Sequence, residues 1–236
     1  MFLLAQQGLE MPDRNEGAAG CVQNDGFCPS WIFDNFDRYV DPFLQHIVLT
    51  VVPVAIGFAI SFGLAVLAHR RQWLTGPITG VTGFLYTIPS LAFFFLLQPL
   101  TGRGYLTAII ALTCYTLLII FRNVTTGLGG VPMEARDAAR GMGLTDRQLL
   151  WRVELPLALP EILAGLRIAT TTTVGLAALA FFAGAGGLGA ELDADYYFKS
   201  NVVVAGGLAV LLAAAFDLII LGVQRAMTPW QRARAT

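Results

Sequence analysis

The sequence predicts an all-α integral membrane protein of about five transmembrane helices, with its N-terminus outside and its C-terminus inside. Three observations carry that reading. Of 236 residues, 56% are hydrophobic and only 13% charged, where soluble domains carry about 25%. The charges are bunched, with none between Asp41 and Arg70, between Arg71 and Arg103, or between Arg167 and Glu191. Uncharged apolar runs of about 18 residues or more cross a hydrocarbon layer of roughly 30 Å as helices. They also lack the alternation with polar residues that strands of a membrane barrel show.

The spans fall at about 46–68, 77–100, 105–122, 159–183 and 201–224. Pro53 and Pro89 lie inside spans, where neighbouring groups must satisfy the freed carbonyls. Small residues recur four apart, as in Gly57 and Ser61 or Ala205, Ala209 and Ala213, which suits close helix packing in lipid. Basic residues set the orientation. Ten of them, including Arg70, Arg71, Arg122, Arg136, Arg140 and Arg225, fall on one side, against Arg14, Arg38, Arg103 and Lys199 on the other. The chain then divides into an extracytoplasmic segment (1–43), a transmembrane domain (44–225) and a basic cytoplasmic tail (226–236).

The first 43 residues do not read as a cleavable signal, because FLLA is short for an apolar region and no basic residue precedes it. Cys21 and Cys28 lie in this outside segment, where either a disulfide or two free thiols is compatible with the sequence. Cys114 lies mid-span and reads as a small apolar packer. Trp31, Phe36, Tyr39 and Phe43 form an aromatic stripe at roughly helical spacing, which predicts a short helix in the outer interface.

GAGGLG, Gly184–Gly189, satisfies G-x-G-x-x-G. A dinucleotide site needs a strand before it, a helix after it, and an acid about 20 residues on. Here a membrane span precedes the run, and Glu191, Asp193 and Asp195 come too soon. The nucleotide reading fails, and the glycines read as a sharp turn with close helix approach.

The longest cytoplasmic segment, VPMEARDAARGMGLTDRQLLWRVELPLALPE (Val131–Glu161), is charged and rich in helix formers. A first helix is expected over about 134–142, ending near Gly141 and Gly143. A second starts at Thr145, where Gln148 completes a capping box. It is expected to run to about Glu154 and to stop at Pro156. Two short helices projecting from a membrane domain make a knob that fits a cleft in a partner, or simply a helical surface loop.

Asp137-Ala138-Ala139, Gly143, Val153, Leu155 and Pro156 match the spacing EAA-x3-G-x9-I-x-LP. On this loop (about 131–157) the chain resembles the permeases of type I ATP-binding-cassette importers. Asp137 stands where that family usually has glutamate, and Val153 where it often has isoleucine. YTIPSLA (Tyr86–Ala92), ARGMGLT, RVELPLALPEILAGLR and GAGGLG resemble the osmoprotectant branch, so the likeness spans roughly 44–225. It implies the type I permease fold, with coupling helices that dock on an ATPase, and a bacterial inner-membrane location.

The resemblance further implies a transport subunit rather than an enzyme, for a compatible solute such as glycine betaine, choline, carnitine or proline betaine. The chain has no G-x-x-x-x-G-K-[ST] phosphate loop, so ATP and Mg belong to a partner and no cofactor is expected here. The implied partners are a second permease subunit (identical or homologous), a cytoplasmic ATPase dimer, an extracytoplasmic substrate-binding protein and the bilayer, with no nucleic acid. Asp137, Ala138, Ala139 and Gly143 are expected to dock, while Leu155 and Pro156 anchor the loop to the membrane domain.

Polar groups within spans are the remaining candidates. Arg167 and Asp217 have similar depth on neighbouring spans, which allows an ion pair, snorkelling or a transport role. Thr170 to Thr173 bond their own helix or, through Thr171 and Thr172, line a path with Tyr86, Pro89 and Ser90. Aromatic faces suit a quaternary ammonium solute. His46 and His69 flank one span and fall on opposite membrane faces, so no metal site is expected. The rival readings are an ion-gradient-driven secondary transporter using Asp217 and a membrane enzyme built on Ser90.

Overall fold

A computed structural model of the chain describes residues 19–229. Arg14, Arg232, Arg234 and most of the tail lie outside the described residues. Short helices α1 (Ala19–Gln23) and α2 (Pro29–Asp34) lead through a 3-10 turn, Phe36–Tyr39, into α3 (Val40–Arg70). Then come α4 (Thr75–Thr87), α5 (Ser90–Thr101), α6 (Tyr105–Gly129), α7 (Met133–Gly141), α8 (Asp146–Leu149), α9 (Leu155–Ala177), α10 (Leu188–Ala194) and α11 (Lys199–Met227). No strand occurs among the described residues, and the architecture is all-α.

Among the described residues, three helical stretches are long and apolar enough to cross a membrane: Phe36–Arg70, Tyr105–Gly129 and Lys199–Met227. A fourth is a bent pair, Gln72–Thr87 and Ser90–Thr101, with 97° between its halves. The expected straight span over 77–100 is therefore corrected to two helices meeting at a corner. Ile88 precedes Pro89 and adopts an extended backbone, φ −66° and ψ 125°, because a following proline crowds the helical conformation. The fourth expected span, over about 159–183, corresponds to α9, which is long enough at 23 residues. Its Glu161, Arg167 and threonines hold it below the apolarity of the others.

Helix α6 is the mast of the bundle. Half of its most apolar window is buried, against 33% for the α3 stretch and 11% for α11. Two apolar clusters meet along it, one with Ala65, Phe121, Val124 and Leu155, the other with Leu49, Phe94, Leu112 and Ala177. Glycines permit the approach: a Cβ on Gly57 would stand 1.8 Å from Thr116 Oγ1, and one on Gly165 would stand 2.3 Å from Asn123 Cβ. Ser61, one turn along α3, donates to Leu117 O at 3.1 Å.

At the N-terminal end the structure departs from the expected interfacial helix. Trp31 and Tyr39 are buried, while Phe36 is exposed. Tyr39 donates to Asn201 Oδ1 at 2.7 Å and Trp31 stands edge-on to Phe198, so two of the four rings turn onto protein. Helix α3 runs unbroken through the expected boundary at residue 43. The GAGGLG run is a turn after a 3-10 segment, Ala180–Ala183, with positive φ at Gly184, Gly186 and Gly187. Gly189 is the tight contact, since a Cβ there would lie 1.7 Å from Ala178 O.

Replacing Gly57 with Ala is expected to destabilise the detergent-solubilised protein by about 1–3 kcal/mol through overpacking on Thr116. The same change at Gly63, which has open space around it on the same helix, is expected to leave the thermal midpoint unchanged or slightly raised. Equal midpoints for both variants would remove the α3–α6 contact from the fold's supports.

Candidate functional site

The loop between α6 and α9 is built by local rules at each joint. Helix α7 starts after Pro132 and ends where Gly143 takes φ +81°, a left-handed conformation that glycine adopts without strain. Leu144 N–H reaches Ala139 O at 3.2 Å and closes that end. Thr145 caps α8 through the expected box, its hydroxyl facing Gln148 N–H and Gln148 Oε1 accepting from Thr145 N–H at 2.9 Å.

The second helix does not stop at Pro156. A π-helical turn, Leu150–Glu154, joins α8 to α9 without a break. Proline lacks an N–H and its ring clashes with the carbonyl four residues back. That carbonyl belongs to Arg152, inside the widened turn, and a π turn relaxes this spacing.

Of the expected docking residues, Asp137, Ala138 and Gly143 are exposed. Ala139 is buried and faces the loop's own protein. An amphipathic helix must spend one face on its own protein, and Ala139 is on it. Leu155 is buried in the α3–α6–α9 cluster, and Pro156 is half-buried beside it. The outer surface also carries Met133, Met142 and Trp151, all more than half exposed, with Arg147 and Arg152 beside the tryptophan.

The feature that motif reading missed is Glu154. Its side chain is buried and its carboxylate joins three elements. His69 Nε2, at the end of α3, donates to Oε2 at 3.0 Å. Arg136 Nε, on α7, lies 2.9 Å from Oε1, an ion pair whose N–H is not aligned as a hydrogen bond. Arg136 also donates to Leu128 O on α6 at 2.6 Å. Beside this node a cavity of about 390 Å³ is lined by His69, Arg70, Arg140, Asp146 and Glu154. Glu154 is the unspecified residue between Val153 and Leu155 in the motif spacing, so a consensus passes over it. His69, weighed only as a metal ligand, is its partner, and His46 lies about 34 Å away along α3 at 1.5 Å per residue.

Within the bundle, Arg167 and Asp217 form a two-pronged ion pair, Nε to Oδ1 and Nη2 to Oδ2, both 2.8 Å. Both carboxylate oxygens are engaged. Thr170, Thr171 and Thr173 donate to carbonyls of their own helix, at Leu166, Arg167 and Ala169. Thr172 is half-buried. Tyr86, exposed, stands edge-on to Tyr115, whose hydroxyl donates to Ile88 O at the corner. Pro89 and Ser90 form that corner, so Tyr86, Pro89 and Ser90 come together while Thr171 and Thr172 belong to α9. At the other end, Cys21 and Cys28 are joined by a disulfide.

Apolar helices long enough to cross a membrane, one of them a corner-bent pair, with a charged helical loop at one end, define the class: a multi-pass membrane protein. Residues 49–232 match the family described as binding-protein-dependent transport system inner membrane component, and the chain belongs to that family. It is 37% identical to the osmoprotectant import permease protein OsmW of Salmonella typhimurium over 84% of this chain and 96% of that one. It is 35% identical to the choline transport system permease protein OpuBB of Bacillus subtilis over 78% and 86%. A solved chain of the inward-facing MetNI methionine ABC transporter superposes with a TM-score of 0.72, 25% identity and coverage of 80% and 96%.

Replacing Glu154 with Gln keeps the size and removes the charge that Arg136 pairs with and to which His69 donates. We expect a loss of about 1–3 kcal/mol, the range for leaving buried polar partners unsatisfied. Combined with Arg136→Gln, the loss should be smaller than the sum of the two single losses, because the residues share one network. Strict additivity in thermal or denaturant unfolding would dissolve the node into two separate contacts.

Proposed function

We propose that this chain is the membrane-spanning subunit of an ATP-driven importer for a compatible solute of the quaternary ammonium class, such as glycine betaine, choline or carnitine. The observation that carries the reading is the coupling loop, two short helices tied by the buried Glu154 node to α3 and α6. The family membership and the choline and osmoprotectant permeases among its relatives support the solute class.

In this reading the loop faces the cytoplasm, residues 19–43 face outside, and five spans per subunit pair with those of a second permease. ATP and Mg bind a partner ATPase dimer, and this chain hydrolyses nothing. Closure of that dimer draws the loops of the two permeases together. Asp137, Ala138 and Gly143 meet the ATPase, with Trp151, Met142 and Arg147 as further anchors, since exposed Trp and Arg concentrate contact energy. Leu155, Pro156 and Glu154 carry the displacement into α9 and α3. The corner at Tyr86, Pro89 and Ser90, with Thr172, borders the path, where an aromatic face attracts a quaternary ammonium. The ion-gradient alternative needs a free intramembrane acid, and Arg167 already occupies Asp217 on both oxygens.

Gly143→Asp tests the reading. Asp tolerates the left-handed backbone better than most residues, and the position has open space around it, so the variant should insert and fold normally. Wild-type protein purified gently from native membrane should bring an ATPase with it, and the variant should lose both that ATPase and solute uptake. Full uptake by the variant removes the coupling assignment. Wild-type protein that moves solute in vesicles with no ATPase present overturns the importer.

A further inference from the structure

Residues 19–43 precede the family match, which begins at residue 49, yet they form a built cap on the α10–α11 corner. The Cys21–Cys28 disulfide closes its first loop. Cys28 N–H donates to Ser200 Oγ at 2.7 Å, and Ser200 Oγ donates to Gly26 O at 3.3 Å, both contacts reaching across the chain to the start of α11. Trp31 packs edge-on against fully buried Phe198 with ring centres 4.7 Å apart. Tyr39 holds Asn201, whose amide donates to Glu191 O at 2.5 Å. Arg38 pairs with the Glu191 carboxylate at 2.6 Å. These ties hold the outer surface of the segment in one geometry.

That outer surface is aromatic. Phe33 is 82% exposed, Tyr197 70%, Tyr196 61% and Phe27 55%, and each lies within two residues of an inward anchor. It is also acidic. Stretches 19–43 and 188–201 contain seven acidic residues and two basic ones, and Arg38 already serves Glu191. Asp34, Asp37, Asp41 and Asp193 are exposed. Aromatic rings alone would equally suit the bilayer interface, but the charge separates the two destinations. Anionic headgroups repel carboxylates, and this surface presents carboxylates. Rigid exposed rings rimmed by one sign of charge fit a protein with the opposite rim.

We propose that the cystine-closed cap and the Tyr196–Tyr197 corner form the docking platform for the extracytoplasmic binding protein, meeting a basic rim on that partner with Phe33 and Tyr197 as anchors. The family description makes transport dependent on such a protein, and the proposal rests on the importer reading and its orientation.

The test uses the full complex in lipid nanodiscs, titrated with the solute-loaded binding protein that stimulates ATP hydrolysis by the wild type. Phe33→Ala with Tyr197→Ala, and separately Asp34→Lys with Asp37→Lys, should raise its half-saturating concentration about tenfold or more. Basal and maximal hydrolysis should not change, since all four side chains are exposed. Added salt should weaken docking to the wild type, and the charge-reversed variant should lose that salt dependence. Cys21→Ser with Cys28→Ser should shift half-saturation in the same direction.

Unchanged half-saturation and salt dependence in both outward-facing variants overturn the platform while leaving the importer intact. Activity lost at unchanged half-saturation, and restored by altering the anionic lipid content, assigns the cap to the bilayer and overturns it equally. A wild-type complex whose hydrolysis no binding protein stimulates removes the importer reading and the platform with it.

Discussion

In hydrocarbon every backbone N–H and C=O needs a partner from within the protein, and the whole bundle is arranged around that constraint. Its continuous helices satisfy themselves. Each break draws a side chain from a neighbour. At the α4–α5 corner the Tyr115 hydroxyl takes the Ile88 carbonyl. Where α9 gives way to the 3-10 segment, Gln98 reaches Phe182 O and Gly104 N–H reaches Ala183 O. At the glycine turn Gln45 Oε1 accepts from Gly187 N–H at 3.0 Å. His46, fully buried next to it, binds Val174 O at 3.0 Å. The breaks are therefore fixed points, each tied to α3, α5 or α6.

The same logic separates the two ends. Around the α6–α9 loop, His69 from α3 and Arg136 from α7 converge on one carboxylate, and Arg136 also binds α6 at Leu128 O. Around the N-terminal cap the ties are a disulfide, buried hydroxyl and amide contacts and one ion pair, Arg38–Glu191. Charged ties adapt to small displacements, because attraction falls off gradually with distance. Short neutral hydrogen bonds and a disulfide hold one geometry.

What could be read from the chain was what spacing encodes. Uncharged run length located α3, α6 and α11, the T-x-x-Q pattern located the α8 cap, and the failed dinucleotide context located the glycine turn. Local propensity misjudged Pro156, since a π turn is a tertiary solution with no sequence period of its own. It underestimated Pro89, whose full corner depends on Tyr115, 26 positions away. Trp31 and Tyr39 have the spacing of an interfacial stripe, and only the distant Phe198 and Asn201 turn them inward. Glu154 was invisible for the same reason: its partner His69 is separated by 85 residues, and no local rule joins them.

The π turn at Leu150–Glu154 has a mechanical meaning. It makes α8 and α9 one continuous helical stretch from Asp146 to Ala177, roughly 47 Å of chain path at 1.5 Å per residue. It is gripped at Glu154 near one tip, and its other tip abuts Gly189 through Ala178. Both tips are thus tied to other elements, Glu154 to His69 of α3 and Arg136 of α7, and Ala178 to Gly189 of α10, so one helical stretch links the α6–α9 loop to the glycine turn.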